Sequence, residues 1–114
     1  LIRSQVSEGT SLAGGAETAV AEFYSNKGYF PGSNGSAGIA ADTSITGKYV
    51  SQVLVGTKGT ITATFSKTSP QEANAKIDTD TLVLSPITSE NGDIHWSCTQ
   101  STVAPEYLPS TCRS

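Results

Sequence analysis

The residues best suited to chemistry lie in one stretch, HWSCTQSTVAPEYLPSTC, which runs from His95 to Cys112. It contains both cysteines, the single histidine and the single tryptophan of the chain. A structural zinc site needs about four ligands, and His95 is the only soft ligand besides the cysteines. A redox pair would show C-x-x-C spacing on a helix. We therefore expect no metal and no cofactor, and favour a disulfide between Cys98 and Cys112.

The two cysteines are separated by 13 residues. Closing a loop of about 15 residues stabilises a fold by about 3 kcal/mol in the chain-entropy model. Pro105 and Pro109 fix φ within the loop and stiffen it further. A disulfide also indicates an oxidising compartment. We predict a rigid disulfide loop over residues 98–112 whose role is architectural.

Catalysis by a nucleophile would need a base close to a serine or cysteine and a group that orients the base. His95, Ser97 and Thr99 share a face of a predicted strand, as alternate residues of any strand do. No carboxylate is placed to orient the histidine ring. Three helical carboxylates are interpreted as solvated charges rather than as an acid–base pair: Glu8, Glu17 and Glu22. We expect no catalytic residues and no enzymatic activity.

The composition excludes two classes of partner. The 114 residues carry a formal net charge of −3, and the seven Lys and Arg are scattered from Arg3 to Arg113. No basic cluster is present to neutralise a row of phosphates, so no specific nucleic-acid site is predicted. No run of about 18 apolar residues occurs, so no segment that could span a membrane is predicted.

Because the sequence starts without Met and in the middle of a helical pattern, we expect a truncated chain that lacks its natural beginning.

A long amphipathic helix is predicted over residues 1–27. Its apolar side follows steps of three and four residues: Ile2, Val6, Gly9, Ala13, Ala16, Val20 and Phe23. Gly14 and Gly15 weaken a helix by roughly 1 kcal/mol each relative to Ala. Such residues persist where packing dominates or where another backbone must come close.

The rest of the chain predicts a connection followed by a sheet. Residues 28–47 are rich in Gly and Ser and lack a period, which is typical of a long surface loop. Strands are predicted within residues 48–100, at 48–55, 60–66, 81–87 and 94–100. Asn91-Gly92 predicts the last hairpin, and Pro86 predicts an edge or bulge. The expected fold is an α+β single domain over residues 1–114, with the helix packed on a four-stranded antiparallel sheet.

Several short motifs follow one another in the order seen in a known family. They are GKYV at residues 47–50, TLVLSP at 81–86, WSC at 96–98 and YLPSTC at 107–112. With the helix, the loop and the C-terminal cysteines, the whole chain resembles a type IV pilin of the type IVa group. The resemblance implies a truncated globular domain without the hydrophobic N-terminal half-helix, the segment that carries the methylated mature N-terminus and anchors the subunit in a membrane.

The resemblance also implies a function. The chain would be the major subunit of a bacterial type IV pilus, polymerising with its own copies through the pilus assembly machinery. Such fibres serve twitching motility, adhesion and DNA uptake. The subunit would reside in the inner membrane of a Gram-negative bacterium before it enters the extracellular fibre. The alternative is a minor pilin or pseudopilin that acts as an adhesive or secretion-machine component.

The C-terminal loop provides candidate contact residues for neighbouring subunits, host glycans or abiotic surfaces: Thr102, Pro105, Glu106, Tyr107 and Pro109. The alternative is that the loop only caps the sheet edge. Ser114 matches a position that some related pilins glycosylate, or it is simply the last residue. Asn34-Gly35-Ser36 forms an N-glycosylation sequon, which we interpret as incidental.

Overall fold

The computed structural model describes residues 2–89 and 93–109. Two helices precede the sheet, α1 at Ile2–Lys27 and α2 at Asn34–Ala37. The strands follow as β1 at Val50–Val55, β2 at Ile61–Phe65, β3 at Thr81–Thr88 and β4 at Ile94–Ser97. Short 3-10 turns lie before β1, between strands and after β4, at Asp42–Ser44, Thr57–Gly59, Ala75–Ile77 and Pro105–Tyr107. None of the helices in the described residues is long and apolar enough to cross a membrane.

The four strands form one antiparallel sheet in the order β1-β2-β3-β4. The predicted α+β class is therefore confirmed, with α1 packed on the sheet. Ile61 opposes Leu84 at the end of the β2–β3 ladder, and Pro86 lies beyond that pair, opposite Trp96. Proline is tolerated there because β2 no longer requires a backbone donor from β3. The predicted edge position of Pro86 agrees with this register.

The apolar side of α1 builds one half of the core. Val6, Ala13 and Val20 are fully buried against the sheet, as the helical spacing predicts. Phe65 of β2 is also fully buried, and a Cβ atom added to Gly9 would lie 2.7 Å from its ring. Gly9 is therefore the point of close approach between helix and sheet.

The connection between α1 and β1 contains more structure than its sequence predicts. Ser33 caps α2 by accepting a hydrogen bond from the Ser36 N–H, and Gly38 ends the helix in the left-handed conformation at φ 78°. A further 3-10 turn follows at Asp42–Ser44. Because α2 is a single turn, it is too short to produce a hydrophobic period. The surface loop predicted over residues 28–47 thus contains two short helical segments that its sequence pattern does not indicate.

Three predicted strands are shorter than expected, and β2 loses one residue at each end. β1 begins at Val50 rather than at residue 48, because the backbone N–H groups of Lys48 and Tyr49 donate to a helix side chain instead. β4 ends at Ser97 rather than at residue 100, since the chain then turns toward β3. The predicted Asn91-Gly92 turn lies outside the described residues.

Candidate functional site

Residues 101–103, which follow β4, lie beside β3 and hydrogen-bond to it where β4 has ended. The Thr102 N–H donates to the Thr81 carbonyl at 3.0 Å, and the Thr81 N–H donates to Thr102 Oγ1 at 2.7 Å. The Ser101 hydroxyl accepts from the Val83 N–H at 2.8 Å and donates to the Val83 carbonyl at 3.3 Å. Two hydroxyl side chains thus satisfy backbone groups that a strand would otherwise pair.

The same segment is fixed to the core by apolar side chains. Val103 and Leu108 are buried on either side of the Pro105–Tyr107 turn. Cys98 is also buried and takes part in a disulfide. Cys112 lies outside the described residues, so the Cys98–Cys112 pairing stays a prediction. Within residues 2–89 and 93–109, no group of three His, Cys, Asp or Glu is arranged to hold a metal.

The predicted contact residues separate into two groups. Glu106 and Tyr107 line a cleft of about 440 Å³ with Ile2, Arg3 and Asn74. Tyr107 and Pro109 line an adjoining cleft of about 320 Å³ with Arg3, Ser4 and Ser7. We call these two depressions the Tyr107 clefts. They place the C-terminal segment beside the first two turns of α1, with one ring shared between them.

The other two contact residues lie outside these clefts. Thr102 is engaged with β3, and its hydroxyl also donates to Asp80 Oδ1 at 3.3 Å. Pro105 is exposed at the start of the 3-10 turn. The partners that sequence reasoning missed are Arg3, Ser7 and Asn74. No local pattern could find them, because they come from two other segments that meet the loop only after α1 has packed on the sheet.

Glu8 is bound to the backbone and is not a freely solvated charge, so that expectation was wrong. Its Oε1 accepts from the Lys48 N–H at 2.8 Å, and its Oε2 accepts from the Tyr49 N–H at 2.7 Å. Gly47 leaves room for this carboxylate, since a Cβ atom there would lie 2.5 Å from Glu8 Cδ. The side chain ties the second turn of α1 to the start of β1.

The remaining acidic and hydroxyl candidates show no catalytic arrangement in the described residues. Burial raises the pKa of Glu17, which is half-buried on α1. Glu22 is exposed, as predicted. The Ser97 hydroxyl lies 3.1 Å from the Thr99 hydroxyl and accepts from the Thr99 N–H at 3.4 Å, so its hydrogen-bond partners belong to Thr99 and not to the exposed His95 ring.

Asn34 closes the free edge of β1. Its Nδ2 donates to the carbonyls of Ala40 and Val53 at 2.9 and 3.0 Å, and its Oδ1 accepts from the Val55 N–H at 2.7 Å. The residue is 6% exposed. Val53 C=O and Val55 N–H are the two groups that an added parallel strand would bind. The asparagine of the sequon is thus an architectural residue, which sequence reasoning did not identify.

Comparison with known proteins places these features in context. A family model of the pilins of bacterial filaments matches residues 2–113. The fimbrial protein EcpC of Eikenella corrodens is 44% identical over 115 residues, covering 98% of this chain and 71% of that protein. The type IV major pilin protein PilE of Neisseria gonorrhoeae is 35% identical over 130 residues, covering 97% and 75%. A fimbrial protein of Neisseria meningitidis serogroup B is 35% identical over 133 residues, with the same coverages.

Proposed function

Because this chain belongs to the pilin family of bacterial filaments, we propose that it is the major subunit of a type IV pilus. As a pilin it is a structural subunit of a fibre and not an enzyme. The assignment as a major subunit is supported by the likeness of this chain to the type IV major pilin protein PilE of Neisseria gonorrhoeae. Its partners would be further copies of itself and the pilus assembly machinery. The subunit would pass from the inner membrane of a Gram-negative bacterium into an extracellular fibre.

One structural observation supports this assignment most strongly. α1 is 26 residues long, about 39 Å by its rise per residue, and only its sheet-facing side is buried. The sheet, the Glu8 contact and the Pro105–Tyr107 turn hold this helix in one position. A subunit that is rigid in advance loses little conformational freedom when it joins a polymer.

Electron microscopy of sheared surface fibres tests whether this is the major subunit. The chain should be the most abundant protein of the fibres, and deletion of its gene should remove them. Normal fibres after deletion would instead indicate a minor pilin or pseudopilin. Twitching motility and DNA uptake should be lost together with the fibres.

Attachment to host glycans or abiotic surfaces is a second candidate function, favoured by the Tyr107 clefts. There an aromatic ring lies beside a guanidinium, a carboxylate and an amide, from Arg3, Glu106 and Asn74. Aromatic rings with neighbouring polar groups are suited to ligands that present both apolar and hydrogen-bonding surfaces. The competing assignment for the same residues is contact with a neighbouring subunit.

A change that removes one charge but keeps the side-chain shape separates these two assignments. Glu106→Gln keeps the shape of an exposed side chain, so the fold should be unaffected. If the clefts bind a surface, adhesion should fall while the number of fibres stays constant. If they bind a neighbouring subunit, fibres should become fewer. Glu72→Gln, at another exposed position, is the matched control.

Ser114 lies outside the described residues, and a mass measurement on the native protein tests its proposed glycosylation.

A further inference from the structure

A groove separates the C-terminal half of α1 from α2, on the opposite end of the helix from the Tyr107 clefts. Its volume is about 420 Å³. Polar and aromatic side chains from α1 form one wall and the end of α2 forms the other; among the lining residues are Thr18, Glu22, Phe23, Asn26 and Gly38. Tyr29 packs edge-on against Phe23 at 5.4 Å between ring centroids and is itself 60% exposed. We call this feature the α1–α2 groove.

The α2 wall of the groove is held in place by several hydrogen bonds. Asn34 binds the backbone of β1 through both ends of its carboxamide. The Ser33 hydroxyl caps the N-terminus of α2 at 3.1 Å, and the Gly38 N–H satisfies carbonyls at its C-terminus. A preformed wall lowers the conformational entropy that is lost when a partner binds. The groove is thus preformed, because its α2 wall is held by hydrogen bonds.

The charge of the groove restricts what it can accept. Among the residues that the structure describes, Glu22 is the charged residue in its lining, and no Lys, Arg or His lines it. A carboxylate beside an aromatic ring favours a cation, through ionic attraction and through the negative face of the ring. An anionic ligand would be repelled. The chemistry of the groove therefore fits an ammonium or a guanidinium group.

Basic groups of the right kind are present on the same chain. Across the described ranges, 2–89 and 93–109, no Lys or Arg forms an ion pair with a carboxylate. The single charge contact among them is Lys48 over the ring of Tyr49 at 5.7 Å. A fibre places many copies at short distances, so cations that are unpaired within one copy can meet carboxylates of the next. Charge complementarity thus favours a second copy as the occupant.

We propose that the α1–α2 groove receives a lysine or arginine side chain of a second copy of this chain, with Glu22 as its ionic partner. The proposal rests on the proposed function, since it requires a fibre. It assigns a specific contact to a surface that is fully formed in the isolated subunit and needs no rearrangement on assembly.

Charge reversal at Glu22 provides the test, in cells that assemble this chain into fibres. Glu22→Lys should reduce sheared fibres about tenfold, because it replaces attraction by like-charge repulsion at every copy. Glu22→Gln should have a smaller effect in the same direction. The melting temperature of the purified chain should stay constant, since Glu22 is exposed. Glu72→Lys is the matched control, with the same change of charge at another exposed position.

A second change identifies the partner. In the Glu22→Lys background, exposed basic residues are replaced by Glu one at a time, and one such replacement should restore fibres. Normal fibres from Glu22→Lys alone would overturn the inference and leave the proposed function intact. Failure of every reciprocal replacement would also overturn it, as would lost adhesion with normal fibre numbers, which would assign the groove to another molecule. Absence of fibres from the unchanged chain would overturn the proposed function as well.

Discussion

The Glu8 carboxylate accepts a hydrogen bond of 2.7 Å from the backbone N–H of Tyr49, a residue 41 positions further along the chain. The other carboxylate oxygen binds the Lys48 N–H at 2.8 Å. These bonds join helix and sheet at a place where the apolar core ends and the strand has not yet begun. A charged acceptor makes stronger hydrogen bonds than a neutral one, so this contact complements the apolar packing of Gly9 on Phe65.

The first prediction concerns the coupling of Glu8 and Gly47. Glu8→Ala removes both charged hydrogen bonds and should lower the free energy of unfolding by about 2 kcal/mol. Gly47→Ala places a Cβ atom 2.5 Å from the carboxylate and should also destabilise, by about 1–3 kcal/mol. Once Glu8 is Ala, the Gly47 change should have little effect. Urea unfolding of the four proteins measures this double-mutant cycle. Additive effects would show that the two residues are not coupled.

The second prediction concerns Asn34. Asn34→Ala leaves the Val53 carbonyl and the Val55 N–H without their partner, and the melting temperature should fall by about 10 °C. Ser36→Ala destroys the same sequon but leaves the Asn34 side chain intact, so it should lower the melting temperature far less. Equal melting temperatures for the two variants would contradict the role of the carboxamide.

The sequence predicts the long elements of this fold because their hydrophobic periods repeat over many residues. The helical stripe from Val6 to Val20 and the alternation from Ile61 to Phe65 each repeat often enough to be recognised. Glu8 and Asn34 are different. Their partners lie on distant backbone that carries no side-chain signature, so composition and spacing describe them as a surface charge and a modification motif.

The candidate site follows the same rule. Tyr107 and Glu106 are found from the local loop sequence, whereas Arg3 and Asn74 join them only through the packing of three separate segments. The α1–α2 groove is likewise invisible to the sequence, because its second wall is a helix of a single turn. Short elements and long-range contacts are the parts that sequence periodicity does not encode.

The third prediction contrasts two glycines of α1. Gly9→Ala would press a methyl group against the fully buried ring of Phe65, so the chain should lose about 1–3 kcal/mol of stability. Among the described residues, Gly14→Ala meets no atom within 4 Å outside its own stretch of helix, and it should gain about 1 kcal/mol from helix propensity. Thermal melts should therefore shift in opposite directions. A stabilised Gly9→Ala variant would mean that the helix does not pack on Phe65 as described.

The fourth prediction tests the disulfide between Cys98 and Cys112. Reducing the disulfide, or removing it with the double substitution Cys98→Ser and Cys112→Ser, should lower the free energy of unfolding by about 3 kcal/mol. The melting temperature should fall by about 10 °C. The double serine variant is its own control, because a reductant should not change its melting temperature further. An unchanged melting temperature on reduction of the native chain would contradict a stabilising role for this bond.

The fifth prediction follows from Glu17. Burial raises its pKa, so the folded chain favours the protonated form more than the unfolded chain does. Its contribution to stability is fully present below the ordinary glutamate pKa of about 4.3 and is lost as the pH rises through the raised folded value. Glu17→Gln should thus match the native melting temperature near pH 3 and exceed it at pH 7, by about 1–3 °C for a half-buried group.

The matched variant for this comparison is Glu22→Gln, which removes one negative charge from an exposed position of the same helix. Subtracting its effect isolates the burial of Glu17 from the general loss of charge on α1. Melting curves at several pH values between 3 and 7 give the two differences directly. If Glu17→Gln lowered the melting temperature at pH 7 relative to Glu22→Gln, the carboxylate would be stabilised by the fold, and burial would not be the dominant influence on its ionisation.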